Sequence, residues 1–171
     1  MIPLLAATVA AGKPHSAIHF VPYEGSLAGT VTIDFTPPDG PAIHSQIREA
    51  SSHLGTGSQE FTSLDLSGFP QVASGTSVAI AANGDELFLE FSLVATTVVP
   101  TPIGLDLEYG GEYRITGGTG RFDFHGPTPT GDYGSGEIHG MATVDLSTPG
   151  LVVMTFADSF EGTIAAVGCR K

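Results

Sequence analysis

Asp158 is the residue of this chain best placed, by type and spacing, to do chemistry. In the series Val152, Met154, Phe156, Asp158, Phe160, Gly162 and Ile164 it is the lone charge among alternate residues. Residues two apart on a strand share a face, so the pattern sets one carboxyl group into an apolar surface. A carboxyl buried there must be hydrogen-bonded, paired or protonated. Its pKa rises toward neutrality, the range in which a general acid or base works. A position at a lip near solvent, or a pair with Arg114 or Arg121, would satisfy it without function. Glu137, His139 and Met141 alternate in the same way, and Glu137 and His139 are expected to supply a second polar group. Tyr109 and Tyr113 share a face with Ile115, where their phenols either orient a ligand oxygen or pack as aromatics. Met154, Phe156 and Phe160 are the expected apolar walls of a ligand site. Arg121 follows a glycine cluster and either pins a turn or meets a ligand carboxylate.

Other chemistries fit less well. Gly117 to Gly120 is rich in glycine, but no helix follows and no lysine is near, as a phosphate loop requires. Gly134-Ser135-Gly136 lacks the glycine spacing of a nucleophile elbow. The histidines His15, His19, His44, His53, His125 and His139 form no His-x-His pair and no recognisable metal-ligand cluster, so no metal is expected. The single cysteine, Cys169, cannot form an internal disulfide and lies near the end of the sequence.

The elements that must position these residues are strands. Leu27, Gly29, Val31, Ile33 and Phe35 interleave with Ala28, Thr30, Thr32, Asp34 and Thr36, a strand with one apolar face. Pro37 to Pro41 stops it. Asn83-Gly84 reads as a two-residue hairpin turn, pairing Ile80 with Leu87, Val78 with Leu89 and Thr76 with Phe91. Further strands are expected over Ala17 to Tyr23, His44 to Ala50, Gln59 to Leu66, Leu107 to Thr116, Gly136 to Leu146 and Leu151 to Ile164. Many strands in series without helices between them imply an antiparallel sheet, and closure removes its edges. The expectation is an all-β fold: a single closed antiparallel up-and-down β-barrel of about eight strands over residues 16–171. Residues 1–15 form an N-terminal extension, or a signal remnant with an apolar run but no basic start.

Three segments in this order carry a resemblance: Ser52-His53-Leu54-Gly55, Ala81 to Phe88, and Ile115-Thr116-Gly117-Gly118-Thr119-Gly120-Arg121-Phe122. With Phe160-Glu161-Gly162-Thr163-Ile164, the chain resembles the allene oxide cyclase-like and dirigent-like barrel proteins and their bacterial relatives over roughly residues 25 to 165. The resemblance implies an eight-stranded barrel with an apolar lumen that binds a hydrophobic small molecule and guides its cyclisation or coupling. It also implies a homo-oligomer, a dimer or trimer. No catalytic residue of that family maps onto this chain. The sequence departs from the family pattern at Asp123 to Pro127, at Thr97 to Leu105 and before Ser16, segments that could line or cover a barrel mouth.

Composition narrows the partners. The chain has 171 residues and a net charge of −12, which repels phosphate backbones and anionic lipid heads. Nucleic-acid and membrane partners are therefore not expected, and no transmembrane segment is present in the sequence. Compartment is open between secreted or periplasmic and cytoplasmic. The leading reading is a cofactor-independent isomerase or cyclase that encloses a hydrophobic substrate. The alternatives are a lipocalin-like carrier and a secreted structural barrel filled by its own side chains.

Overall fold

A computed structural model describes residues 19–124 and 133–166. Eight strands follow one another: β1 Phe20–Asp34, β2 Ala42–Ser51, β3 Gly55–Asp65, β4 Val72–Ala81, β5 Glu86–Thr101, β6 Gly104–Gly118, β7 Gly134–Asp145 and β8 Leu151–Ala165. Each pairs antiparallel with the next, and β8 returns to β1, from Phe20 opposite Ala165 to Asp34 opposite Leu151. The ring of hydrogen bonds closes an all-β, up-and-down barrel in which every strand has a neighbour on both sides. No helix among the described residues is long and apolar enough to cross a membrane.

Alternation sets which side chains enter the barrel. Tyr23, Leu27, Val31 and Ile33 of β1 are buried, as are Ile115 of β6, Val144 of β7 and Phe156, Phe160 and Ile164 of β8. The strand expected to end at Tyr23 and the one expected from Leu27 onward run together as one strand, β1, from Phe20; Ala17 and Ile18 lie outside the described residues. The chain does not turn at Gly25. A Cβ there would lie 2.6 Å from the Phe160 ring, so this glycine makes room in the lumen.

The β4–β5 hairpin differs from its expected register by one residue. Ala81 N donates to the Asp85 carbonyl, and Gly84 N to the Ala81 carbonyl, each at 2.9 Å. Three residues therefore form the loop, with Gly84 at φ +85° as its left-handed member. Ile80 faces Glu86 and Ala79 faces Leu87. The small residues Ser77, Ala79 and Ala81 point inward on β4, while Val78 and Ile80 turn outward beside Phe88. The inward side of β4 has to be small, since a Cβ on Gly75 would already lie 2.9 Å from the Phe91 ring.

The apolar connection at Thr97 to Leu105 is not a loop across a mouth. β5 runs on to Thr101 and β6 starts at Gly104, so it is a hairpin extension. β4 pairs with β5 only up to Val94. Pro100, beyond that point, costs no ladder bond on the open side.

One end of the barrel is packed shut. Beyond β6, Gly120–Phe122 forms a single 3-10 turn that buries Phe122. Leu54, Ala81, Leu87, Ile115 and Ile164 are buried at the same end. Thr119 ties the turn to β5: its N donates to the Glu86 carbonyl at 2.8 Å, and its hydroxyl accepts from Glu86 N at 3.1 Å. Gly120 has φ +59°, and a Cβ there would sit 1.8 Å from Asp85 Oδ1. Gly120→Ala is therefore expected to lower stability by about 2 kcal/mol, combining left-handed strain with displacement of Asp85. Chemical denaturation checks this; an unchanged midpoint would show that the turn does not close the barrel. Expectations concerning residues 1–15, His125, Cys169 and a turn over Pro127 to Gly131, whose prolines and glycine separate two expected strands, fall outside the described residues.

Candidate pocket inside the barrel

Tyr109 of β6, Gly140 of β7 and Asp158 of β8 stand in one row across three neighbouring strands. The Tyr109 hydroxyl donates to Asp158 Oδ1 in a short bond that spans β7. It can do so because the residue between them has no side chain. A Cβ on Gly140 would lie 2.0 Å from Asp158 Oδ1. Asp158 pairs with neither Arg114 nor Arg121 within salt-bridge distance. Arg114 Nη2 meets Glu90 at 2.6 Å on the outside of the barrel.

A second row repeats the design. Tyr113 of β6 lies over Gly136 and Gly162 toward Tyr23 of β1. A Cβ on either glycine would lie 2.6 Å from the Tyr113 hydroxyl. Tyr23 in turn donates to Glu49 Oε1 at 2.8 Å, and Glu49 is only 2% exposed. Across the lumen Gln59 Nε2 donates to Ser77 Oγ at 2.7 Å. The polar interior thus has two carboxyl stations, each with its own tyrosine.

Two chambers adjoin these groups. The outer, about 70 Å³, lies under the β3–β4 loop at the barrel end opposite the Phe122 closure. Leu66, Phe69, Tyr109, Met154, Phe156 and Asp158 are among its walls. The inner, about 40 Å³, is bounded by Glu49, Gln59, Ser77, Tyr113, Asp158 and Phe160, among others. Phe61, Phe91, Leu93 and Asp158 border both. Phe61 packs against Phe91 and Phe156, with ring centroids 5.3 and 6.4 Å away, and these rings occupy much of the middle of the lumen.

The environment shifts the ionisable groups. Burial pushes the Asp158 carboxyl up to about 6, against the opposing pull of the bond from Tyr109. Burial likewise raises Glu49, against bonds from Tyr23 and Ser51. The Tyr109 phenol is raised by burial and then by the Asp158 charge. Tyr23 and Tyr113 are raised by burial and then by the Glu49 charge. A carboxyl that titrates near neutrality, held by a phenol that stays protonated, can take or return a proton on an adjacent apolar molecule.

The structure brings together Asp158, Tyr109, Met154 and Phe156 at the outer chamber, and Tyr113 and Phe160 with Asp158 at the inner one. It does not bring Glu137 or His139 to them. Those side chains are 67% and 65% exposed, 3.5 Å apart on the outside of β7, because Ile138 takes the inward position. Glu137 belongs instead to an outward row in which Glu112, Glu137, Glu161 and Glu24 stand opposite one another across β6, β7, β8 and β1. Arg121 is likewise away from both chambers. Its guanidinium reaches the Leu54 carbonyl at 3.3 Å and Asp85 at 3.4 Å, and covers the Phe122 ring at 4.9 Å. It pins the closed end. Among the described residues no group of three or more His, Cys, Asp or Glu is placed to hold a metal ion.

Glu49 escaped the reading of the sequence, although its signal is of the same kind as that of Asp158. In Ile43, Ser45, Ile47 and Glu49 it is the lone charge on alternate residues of β2. Compared with known proteins, the chain matches no family model, no curated protein and no solved structure.

Proposed function

We propose that the barrel binds a slender apolar molecule in its lumen and that Asp158, with Tyr109, moves a proton on it. The observation that carries this reading is the Asp158–Tyr109 pair, a carboxyl with a near-neutral pKa on the wall of an apolar chamber. The resemblance to allene oxide cyclase-like barrels agrees with a ligand in the lumen. The size of the space selects among reactions. An engineered cavity of about 150 Å³ holds one benzene, and the two chambers together offer less than that. They suit an extended chain rather than one folded back on itself, and so favour a proton-shift isomerisation over cyclisation.

Native mass spectrometry of the purified protein identifies any retained molecule, which then serves as substrate or as a guide to one. Asp158→Asn should keep the fold and lower turnover by about 10²- to 10⁴-fold. Tyr109→Phe removes the bond that favours the charged carboxyl, so the inflection of the pH–rate profile should move upward from about 6. Unchanged turnover in Asp158→Asn would overturn the proton-transfer role.

A carrier without turnover is the second reading, favoured by how completely aromatic rings fill the middle of the lumen. In that case Asp158→Asn changes affinity, and no product forms with the wild-type protein.

A further inference from the structure

The two chambers are lined by carboxyl groups and by no cation. Glu49 and Asp158 both border the inner one, and among the described residues no Lys, Arg or His lines either chamber. The phenolic donors nearest the carboxyls are already committed: Tyr23 to Glu49 and Tyr109 to Asp158. Gln59 directs its amide N–H to Ser77. The Tyr113 hydroxyl keeps a long bond of 3.5 Å to the Tyr23 carbonyl, so the inner chamber offers a newcomer the carboxyl oxygens of Glu49 and Asp158 with one phenol beside them. The chamber's volume of about 40 Å³ exceeds the about 10–15 Å³ of such space that one water molecule needs, so a head group of that size has room.

Resting on the reading of the lumen as a ligand site, we infer that the inner chamber takes the ammonium head of an alkyl amine whose chain lies along the outer chamber. An ammonium group has three donors and no acceptor, and is close to water in size. Placed between Glu49 and Asp158, with one carboxyl ionised and the other keeping its proton, it exchanges its hydration for charge-assisted bonds and the buried charges balance. A carboxylate head would bring further acceptors and a like charge to the same place. The outer chamber, bordered by Met154, Phe156 and Leu107, suits a single methylene chain.

The groups that face the two carboxyls from surrounding strands are Tyr23 on β1, Gln59 on β3, Ser77 on β4, and Tyr109 and Tyr113 on β6. None of these titrates between about pH 5 and pH 8; His53, whose ring lies 6.2 Å from that of Tyr23 outside the chambers, is the histidine nearest them among the described residues, so the substitutions at Glu49 and Asp158 assign the pH dependence to the carboxyls.

Isothermal titration calorimetry of the full chain with octylammonium, octanol and octanoate tests the inference, with ethylammonium as a probe of attraction to the acidic exterior. Octylammonium should bind at least about tenfold more tightly than octanol, and octanoate should bind least. Its affinity should fall at least about tenfold between about pH 7.5 and about pH 5, as the carboxyls take up protons. Glu49→Gln and Asp158→Asn should each weaken octylammonium without weakening octanol. Equal binding of amine and alcohol, tighter binding of octanoate, or indifference of the amine to both substitutions overturns the head-group assignment and leaves the lumen reading standing. Failure of every chain-bearing probe to bind removes both. Binding of ethylammonium as tight as that of octylammonium places the attraction on the exterior and also overturns the inference.

Discussion

Asp158→Asn is expected to flatten the stability of the protein between about pH 4 and about pH 7. The sign follows from the direction in which the carboxyl moves. The ordinary aspartate value is 3.8, and the folded chain raises it to about 6. The folded state therefore holds the proton more tightly than the unfolded state across that interval. Stability contributed by protonated Asp158 is fully present below the unfolded value and is lost as pH rises through about 6. A rise of about two pH units corresponds to about 3 kcal/mol. The asparagine of the variant can still accept the Tyr109 hydroxyl, but it has no charge to desolvate. Denaturation curves of both proteins across the interval should converge at the acidic end and separate by about 3 kcal/mol at the neutral end, the variant being the more stable. Glu49 is raised by the same cause and acts with the same sign in both proteins, so the difference isolates Asp158. Asp34, Asp65 and Asp145 are lowered by bonds to nearby Thr36, Ser67 and Ser147. Their contribution is lost on acidification below the interval. Parallel curves for the two proteins would mean that Asp158 is hydrated, and the proton-transfer proposal would lose its physical basis.

Gly162→Ala is expected to cost about 3 kcal/mol, at the upper end of what one inserted methyl group does in a packed interior. Its Cβ would lie 2.2 Å from the Ser135 carbonyl oxygen, 2.5 Å from Gly136 Cα and 2.6 Å from the Tyr113 hydroxyl. Two of these are backbone atoms and cannot swing aside. Gly55→Ala supplies the contrast. Gly55 has φ +74° with nothing within 4 Å of an added Cβ, so only backbone strain of about 1 kcal/mol applies. Urea denaturation of the two variants should rank them in that order. Equal losses would show that the rows beneath the tyrosines are not tightly packed.

Alternation carried much of the architecture. β8 shows its inward face openly, because Met154, Phe156, Phe160 and Ile164 are large and apolar. β7 does not, since its inward positions include Gly136 and Gly140, which carry no hydropathy signal. Those glycines are inward because tyrosines from β6 lie across them, a long-range fact that local pattern does not encode. Glu137 and His139 therefore look like a lumen face only while their neighbours are read as spacers. The β4–β5 register failed for a different reason. Asn-Gly suits both a two-residue turn and a three-residue turn ending in a left-handed glycine, and the choice between them exchanges the faces of the facing strand. Here Gly75 faces inward, where the Phe91 ring would lie 2.9 Å from an added Cβ, and Ser77 and Ala79 follow it on the inside.

The closure around Phe122 turns the tube into a cul-de-sac. If the lumen binds a ligand as proposed, whatever goes in must back out by the same route, so occupants cannot queue or be handed through from one rim to the other. The end of a molecule that arrives first is the last to leave. Discrimination then concentrates on that leading end, while surplus length trails past the β3–β4 rim, where little of the wall is left to measure it.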